Sequence, residues 1–240
     1  MSDTANPPTL ASAPLAGAGE FDDRLKRTDE DRWLATRYAD VAGRERLVAI
    51  YLLNQELQRT LHTKEPMLGK IRLQWWRETL EQVGGAGPVR RHDLAEELAR
   101  VTAKRADLVA PMGALVDAFD DILDDHLHAG GHQPGGEHEA RHLAVEGRLM
   151  RLAGIALMPA APEPDLDAMA GMGEAALALK AELPEAQARW DAARRQARAV
   201  PSVMWPALLH LAARVDAKGR EPSPFAKRWR MFSAALWRKL

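Results

Sequence analysis

Cysteine is absent from all 240 residues. That excludes disulfides, thiolate-bound zinc, iron–sulfur clusters and thiol nucleophiles together. Tyrosine and phenylalanine are scarce as well, at 2 and 4, and valine and threonine are few beside alanine, leucine, arginine and glutamate. Sheets draw on β-branched and aromatic residues, so this poverty argues against strands and for helices. Alternation of the strand type never extends beyond a few residues. No apolar run reaches the ~18 residues of a membrane-crossing helix. Neither sign of charge dominates: the formal net charge is −1, which removes the electrostatic footprint of a nucleic-acid binder.

The 15 prolines and 17 glycines fall in clusters that divide the chain into helical blocks. Residues 1–20 read as a disordered Pro/Ala/Ser tail. They have neither the basic start and unbroken apolar core of a secretory signal nor the arginine of a transit peptide. From Phe21 onward the expectation is a single all-α domain. Thr28-Asp29-Glu30-Asp31 supplies a cap and first-turn acids. A helix over Gly43–His62 follows, with Leu47, Ile50, Tyr51, Asn54, Leu57 and Leu61 on one stripe. After the break at Glu65-Pro66-Met67, a helix from Leu68 stops before Gly84. Further helices are expected over His92–Lys104, from Pro111, over Glu137–Leu157, over Asp165–Lys180, from Pro184, over Pro201–Leu211 and over Pro224–Leu240.

Three segments carry a family likeness: DRWL at 31–34, RERLVAIYLLNQEL at 44–57 and EPMLGKIRLQWWRE at 65–78. They resemble the squalene/phytoene synthase family. The nearest likeness is to its non-catalytic-looking branch, related to the complex I assembly factor with a phytoene-synthase domain. A weaker likeness runs over 115–157. The resemblance implies an isoprenoid-synthase-like helical bundle. Active members hold Mg²⁺ and isoprenoid diphosphates between two aspartate-rich motifs, because loss of a diphosphate needs divalent ions bridging carboxylate and phosphate oxygens. Where the first motif belongs, this chain offers Asn54, Gln55, Glu56, Leu57, Gln58 and Arg59. Where the second belongs, between Met172 and Pro184, it offers Glu174, Glu182 and Lys180, with no aspartate pair one turn apart.

The expectation is therefore a pseudoenzyme: a scaffold or assembly factor, by resemblance for respiratory complex I, with no catalytic residue and no cofactor. The alternative is an active prenyl transferase with a degenerate acidic site, which alone would call for Mg²⁺. Tyr51, Asn54, Glu56, Arg72, Trp75 and Trp76 are the residues expected to line an ancestral pocket for a lipid or isoprenoid. One of the adjacent tryptophans should pack inward while its neighbour fills a groove or partner site. Glu56 beside Arg59 or Arg72 reads either as a remnant of that site or as a routine ion pair. The expected partner is a protein, with a lipid ligand and a membrane surface as further partners and no nucleic acid. The expected location is cytoplasmic, peripheral at the inner face of a membrane.

Three motifs compete with this reading. The string Asp120-Asp121-Ile122-Leu123-Asp124-Asp125 imitates a metal–diphosphate motif, with Asp117, Asp121 and Asp124 on one helix side; the plainer reading is the wet face of an amphipathic helix. His138-Glu139-Ala140-Arg141-His142 spells HExxH, in which two histidines one turn apart bind Zn²⁺ around a glutamate base and Glu146 could add a ligand. The segment is rich in histidine (His126, His128, His132), which makes a chance match the plainer reading. Last, the C-terminal stretch sets Trp229, Phe232 and Trp237 among Arg230 and other cations. That is the composition of an interfacial helix, or of a closing helix with a solvated basic end.

Overall fold

The computed structural model describes residues 18–128, 136–213, 222–238 and 240. Among them the regular structure is helical, without a strand. The ten α-helices are α1 (Ala18–Thr28), α2 (Glu30–Thr36), α3 (Val41–Leu61), α4 (Pro66–Glu81), α5 (Asp93–Thr102), α6 (Val109–His128), α7 (Gly136–Leu157), α8 (Glu163–Lys180), α9 (Ala186–Ala197) and α10 (Pro224–Trp237). The sequence puts their starts where capping chemistry allows. The Asp29 carboxylate accepts from the Arg32 backbone N–H at 3.0 Å, and Asp40 accepts from Gly43 at 2.8 Å. Each satisfies one of the donors that a helix start leaves orphaned. Pro66 and Pro224 occupy first-turn positions, where the missing N–H costs nothing.

Two expectations change. Helix α1 begins at Ala18, three residues inside the segment read as tail; residues 1–17 lie outside the described part. Pro201–Leu211, expected as a helix, forms two short 3-10 pieces over Ser202–Ala207 and Leu209–Ala213 instead. Pro206 sits within the first. Its ring removes a donor and clashes with an α-helical carbonyl, so the tighter turn wins.

All ten helices contribute to one core. Leu47, Ile50, Leu53 and Leu57 of α3 are buried in the same core as Leu115, Phe119 and Ile122 of α6 and Leu149 and Leu152 of α7. Each such side chain contributes roughly 1.5–3 kcal/mol when removed from water. Glycines let α7 and α8 approach closely. A Cβ on Gly173 would lie 2.5 Å from Met150 Cγ and 2.8 Å from the Glu146 carbonyl oxygen; one on Gly147 would lie 2.5 Å from Glu174 Oε1. The far end of α7 is held by two arginines. Arg46 Nε donates to Ala156 O at 2.7 Å and Arg105 Nη1 to the same oxygen at 3.1 Å, placing cations on the negative end of the helix dipole. Burial, then the neighbouring Arg105 charge, holds the Arg46 pKa below its ordinary value.

Candidate functional site

Helical periodicity divides the six expected pocket residues between two places. Tyr51 and Glu56 are five residues apart on α3, so they point about 140° away from each other. They cannot face one cavity.

Glu56 belongs to an open pocket of about 260 Å³. Glu56, Arg59 and Thr60 of α3 form one wall, Arg72, Trp75 and Trp76 of α4 the other, and His92, just before α5, the floor. Successive residues of a helix diverge by about 100°, and the adjacent tryptophans obey this. Trp76 turns inward and is 5% exposed, while Trp75 is only partly buried. Their rings meet edge to face at 4.9 Å and 85°, and His92 stands 5.3 and 5.4 Å from the two of them. Arg90 lies over Trp75 at 5.3 Å and pairs with Glu78. Glu56 is gripped on both sides: Arg24 of α1 donates to it, and Arg59 reaches the same oxygen at 2.7 Å. The pocket thus combines an aromatic corner with the guanidiniums of Arg59 and Arg72. Such a surface suits an anionic group carried on an apolar body.

Tyr51 and Asn54 lie on the other side of α3, in the interior. There Arg32 of α2 pairs with Glu146 of α7 and, at 3.2 Å, with Asp29; its guanidinium lies 5.4 Å from the Tyr51 ring centroid. The Arg32 and Glu146 side chains are only 15% and 16% exposed. Burial alone would depress the Arg32 pKa, but the Glu146 charge, then Asp29, overcomes it and the net shift is upward. Burial pushes the Tyr51 phenol well above its ordinary value, against the opposing Arg32 charge. Among the described residues the Tyr51 hydroxyl, Asn54 Oδ1 and Arg32 Nε find no hydrogen-bond partner. These three atoms and the Arg32–Glu146 pair make a polar knot inside an otherwise apolar bundle.

The remaining sequence candidates fall elsewhere. Lys70 of α4 bridges Asp120 and Asp124 at 2.7 and 2.6 Å, and Arg77 bridges Asp117 and Asp120 at 2.7 and 3.3 Å. Arg141 of α7 reaches Asp125 at 3.0 Å. Asp121 is exposed. The acidic string therefore stitches α6 to its two neighbours, and the acids that share cations are 117, 120 and 124, whereas 121 stands apart. His138 and His142 face each other with Nε2 atoms 3.1 Å apart. Glu146, the further ligand considered for zinc, is engaged by Arg32. Among the described residues no three His, Asp or Glu side chains converge on one point; the side chains of His126 and His128 and all of His132 lie outside the described part. On α10, Trp229, Phe232 and Trp237 are exposed and Arg230 is half-buried. Sequence reasoning missed Arg24, Arg32 and His92. Arg32 sits inside one of the family-like segments, but nothing local to it names Glu146 as its partner.

The squalene/phytoene synthase family model matches residues 25–128. No curated protein and no solved structure matches the chain. The match runs from α1 to the end of α6, so it takes in the aromatic pocket, Arg32, Tyr51 and the acidic string. Helices α7 to α10, with Glu146 and Glu174, lie beyond it.

The resemblance implies Mg²⁺, and the donors present do not fit it. Hard cations need several ionised oxygens with room for water. Glu56 already carries two guanidiniums. Glu174, the acid nearest the expected second motif, lies over Gly147. Partial burial raises its carboxyl pKa, against the opposing charge of Arg189, which favours the neutral form. Because the folded value is raised from 4.5, the stability that Glu174 contributes is complete below that pH. It declines as pH rises through the folded pKa. Glu174→Gln is expected to remove this decline, seen in urea unfolding repeated across a pH series; an unchanged slope would show that Glu174 is not its source.

Proposed function

We propose that this protein is a catalytically silent relative of the squalene and phytoene synthases and works as a scaffold or assembly factor. The observation that carries the reading is the state of its carboxylates. On the helix where the resemblance expects the first metal-binding motif, Glu56 is held by Arg24 and Arg59. Inside the bundle, Glu146 is held by Arg32. A guanidinium is a permanent cation that already neutralises its partner. Freeing Glu146 for Mg²⁺ would strand the Arg32 charge, only 15% exposed, at a cost of several kcal/mol; Glu56 would have to give up Arg24 and the exposed Arg59. Diphosphate departure needs opposed clusters of ionised oxygens around the metal; at the first position Arg24 and Arg59 hold the one carboxylate, and at the second Glu174 is shifted toward its neutral form by burial.

What remains is a bundle with an aromatic, arginine-lined pocket. Arg59, Arg72, Trp75 and Trp76 offer a seat for an acidic group of a protein partner or the anionic head of a lipid or isoprenoid. The resemblance of 44–57 and 65–78 to the assembly-factor branch makes assembly of respiratory complex I the process in which we place this scaffold. The transferase alternative would have to run on Asp120–Asp125, whose members Asp120, Asp124 and Asp125 are paired with Lys70, Arg77 and Arg141.

Incubation with farnesyl or geranylgeranyl diphosphate and Mg²⁺ tests the catalytic half of the proposal. The expected result is no diphosphate release above buffer. Mg²⁺-dependent release that disappears in Asp120→Asn/Asp121→Asn would establish the transferase instead. Deleting the chain from its host tests the other half. Assembled NADH:quinone oxidoreductase is expected to fall on native gels while other respiratory complexes stay constant; an unchanged level would reject the assembly role.

A further inference from the structure

Helix α10 has two apolar faces, and only one of them is used. Met231 and Ala234 turn inward and are buried. Lys227 ties the helix to α2 through Asp31 at 3.0 Å. Phe225, Trp229, Phe232 and Leu236 recur at steps of four, three and four, so they form a single stripe along the opposite side. All four are exposed, as is Trp237 beyond them; Phe225, Trp229 and Trp237 are 78%, 59% and 75% exposed. Five large apolar side chains on one helix of 14 residues form the kind of outward patch that marks an interaction surface.

Charge decides what covers it. From 222 to 240 the chain carries no acid. Arg228 is exposed beside the aromatic stripe, Arg230 is half-buried on the same helix, and the exposed Arg238 ends the helix, where it lines a small pocket with Arg194, Arg198 and Trp205. Pairing with a second copy of the same stripe would bring arginines against arginines. A surface that is negative, and soft enough to admit indole and phenyl rings, satisfies both features at once: rings settle at headgroup depth while guanidiniums meet lipid phosphates. No helix among the described residues is long and apolar enough to cross a membrane, so α10 would lie along the surface instead of piercing it.

We infer that α10 is an interfacial anchor that docks the bundle onto an anionic lipid bilayer through Phe225, Trp229, Phe232, Leu236 and Trp237, with Arg228 and Arg238 as phosphate contacts. This inference stands independently of the catalytic question, because none of these residues touches the pocket or the interior ion pair.

Vesicle co-sedimentation of the full chain tests it. The protein is expected to partition onto phosphatidylcholine–phosphatidylglycerol vesicles about tenfold or more above phosphatidylcholine alone, with binding falling as salt rises. Trp229→Ala/Trp237→Ala should abolish the partition while leaving the circular dichroism spectrum and unfolding midpoint unchanged, since both side chains are exposed. Arg228→Gln/Arg238→Gln should remove the preference for anionic vesicles. Absence of vesicle binding, equal binding to both compositions, or undiminished binding by the tryptophan variant would overturn the inference. So would a dimer in sedimentation velocity that the tryptophan variant dissolves in the absence of any vesicle binding.

Discussion

Replacing Arg32 by methionine is expected to lower stability by about 3–5 kcal/mol, the cost of leaving a buried carboxylate without its cation. Methionine keeps the stem of the side chain out to about the position of Nε but removes the guanidinium that lies over the Tyr51 ring, so the double variant described below separates lost charge from lost volume. The carboxylate affected is Glu146, 16% exposed. Its best escape is to protonate, so the variant should lose less stability at acid pH than at neutral pH. Adding Glu146→Leu to Arg32→Met should recover much of the loss, because an apolar pair of similar volume often does as well as a buried ion pair. Urea unfolding of the wild type, both single variants and the double variant gives the coupling directly. If Arg32→Met cost less than about 1 kcal/mol, as exposed pairs do, the interior knot would be a surface contact in energetic terms.

Trp76→Ala is the second large effect, expected at about 3–5 kcal/mol. The indole is 5% exposed and packs edge to face on both Trp75 and His92, so truncation opens a hole behind the pocket wall that neighbouring side chains cannot fill. Trp75→Ala removes a partly solvated ring and should cost markedly less, while stripping the pocket of the face that Arg90 covers. Chemical unfolding of the two variants separates wall from support. Equal losses would mean that both rings belong to the core and that the pocket has no aromatic surface to offer.

Much of this architecture was legible in the chain. The poverty of strand formers and the periodic stripe of α3 foretold an all-helical bundle, and Leu47, Ile50, Tyr51, Asn54 and Leu57 are buried as that stripe requires. The inward and outward division of Trp75 and Trp76 followed from helical geometry alone; for Glu56 the sequence left Arg59 and Arg72 both open as neighbours, and the structure pairs it with Arg59.

Tertiary electrostatics were not legible. Arg32 and Glu146 are separated by 114 positions, and a long cationic side chain carries no local mark of its partner. The acidic string shows the same limit. Periodicity groups Asp117, Asp121 and Asp124, yet Lys70 and Arg77 reach across from α4 and select Asp117, Asp120 and Asp124. Proline chemistry overrode the helical pattern at 202–213, where Pro206 left only 3-10 turns.

The central claim is that Glu56, the one carboxylate at the first metal-binding position, is held by this chain's own arginines. A crystal structure grown with Mn²⁺ and a non-hydrolysable farnesyl diphosphate analogue tests it most directly, since anomalous scattering locates each metal. The account predicts that Arg24–Glu56, Arg59–Glu56 and Arg32–Glu146 persist, with no manganese between α3 and α8. Two or more manganese ions held there by carboxylates released from their arginines would contradict it.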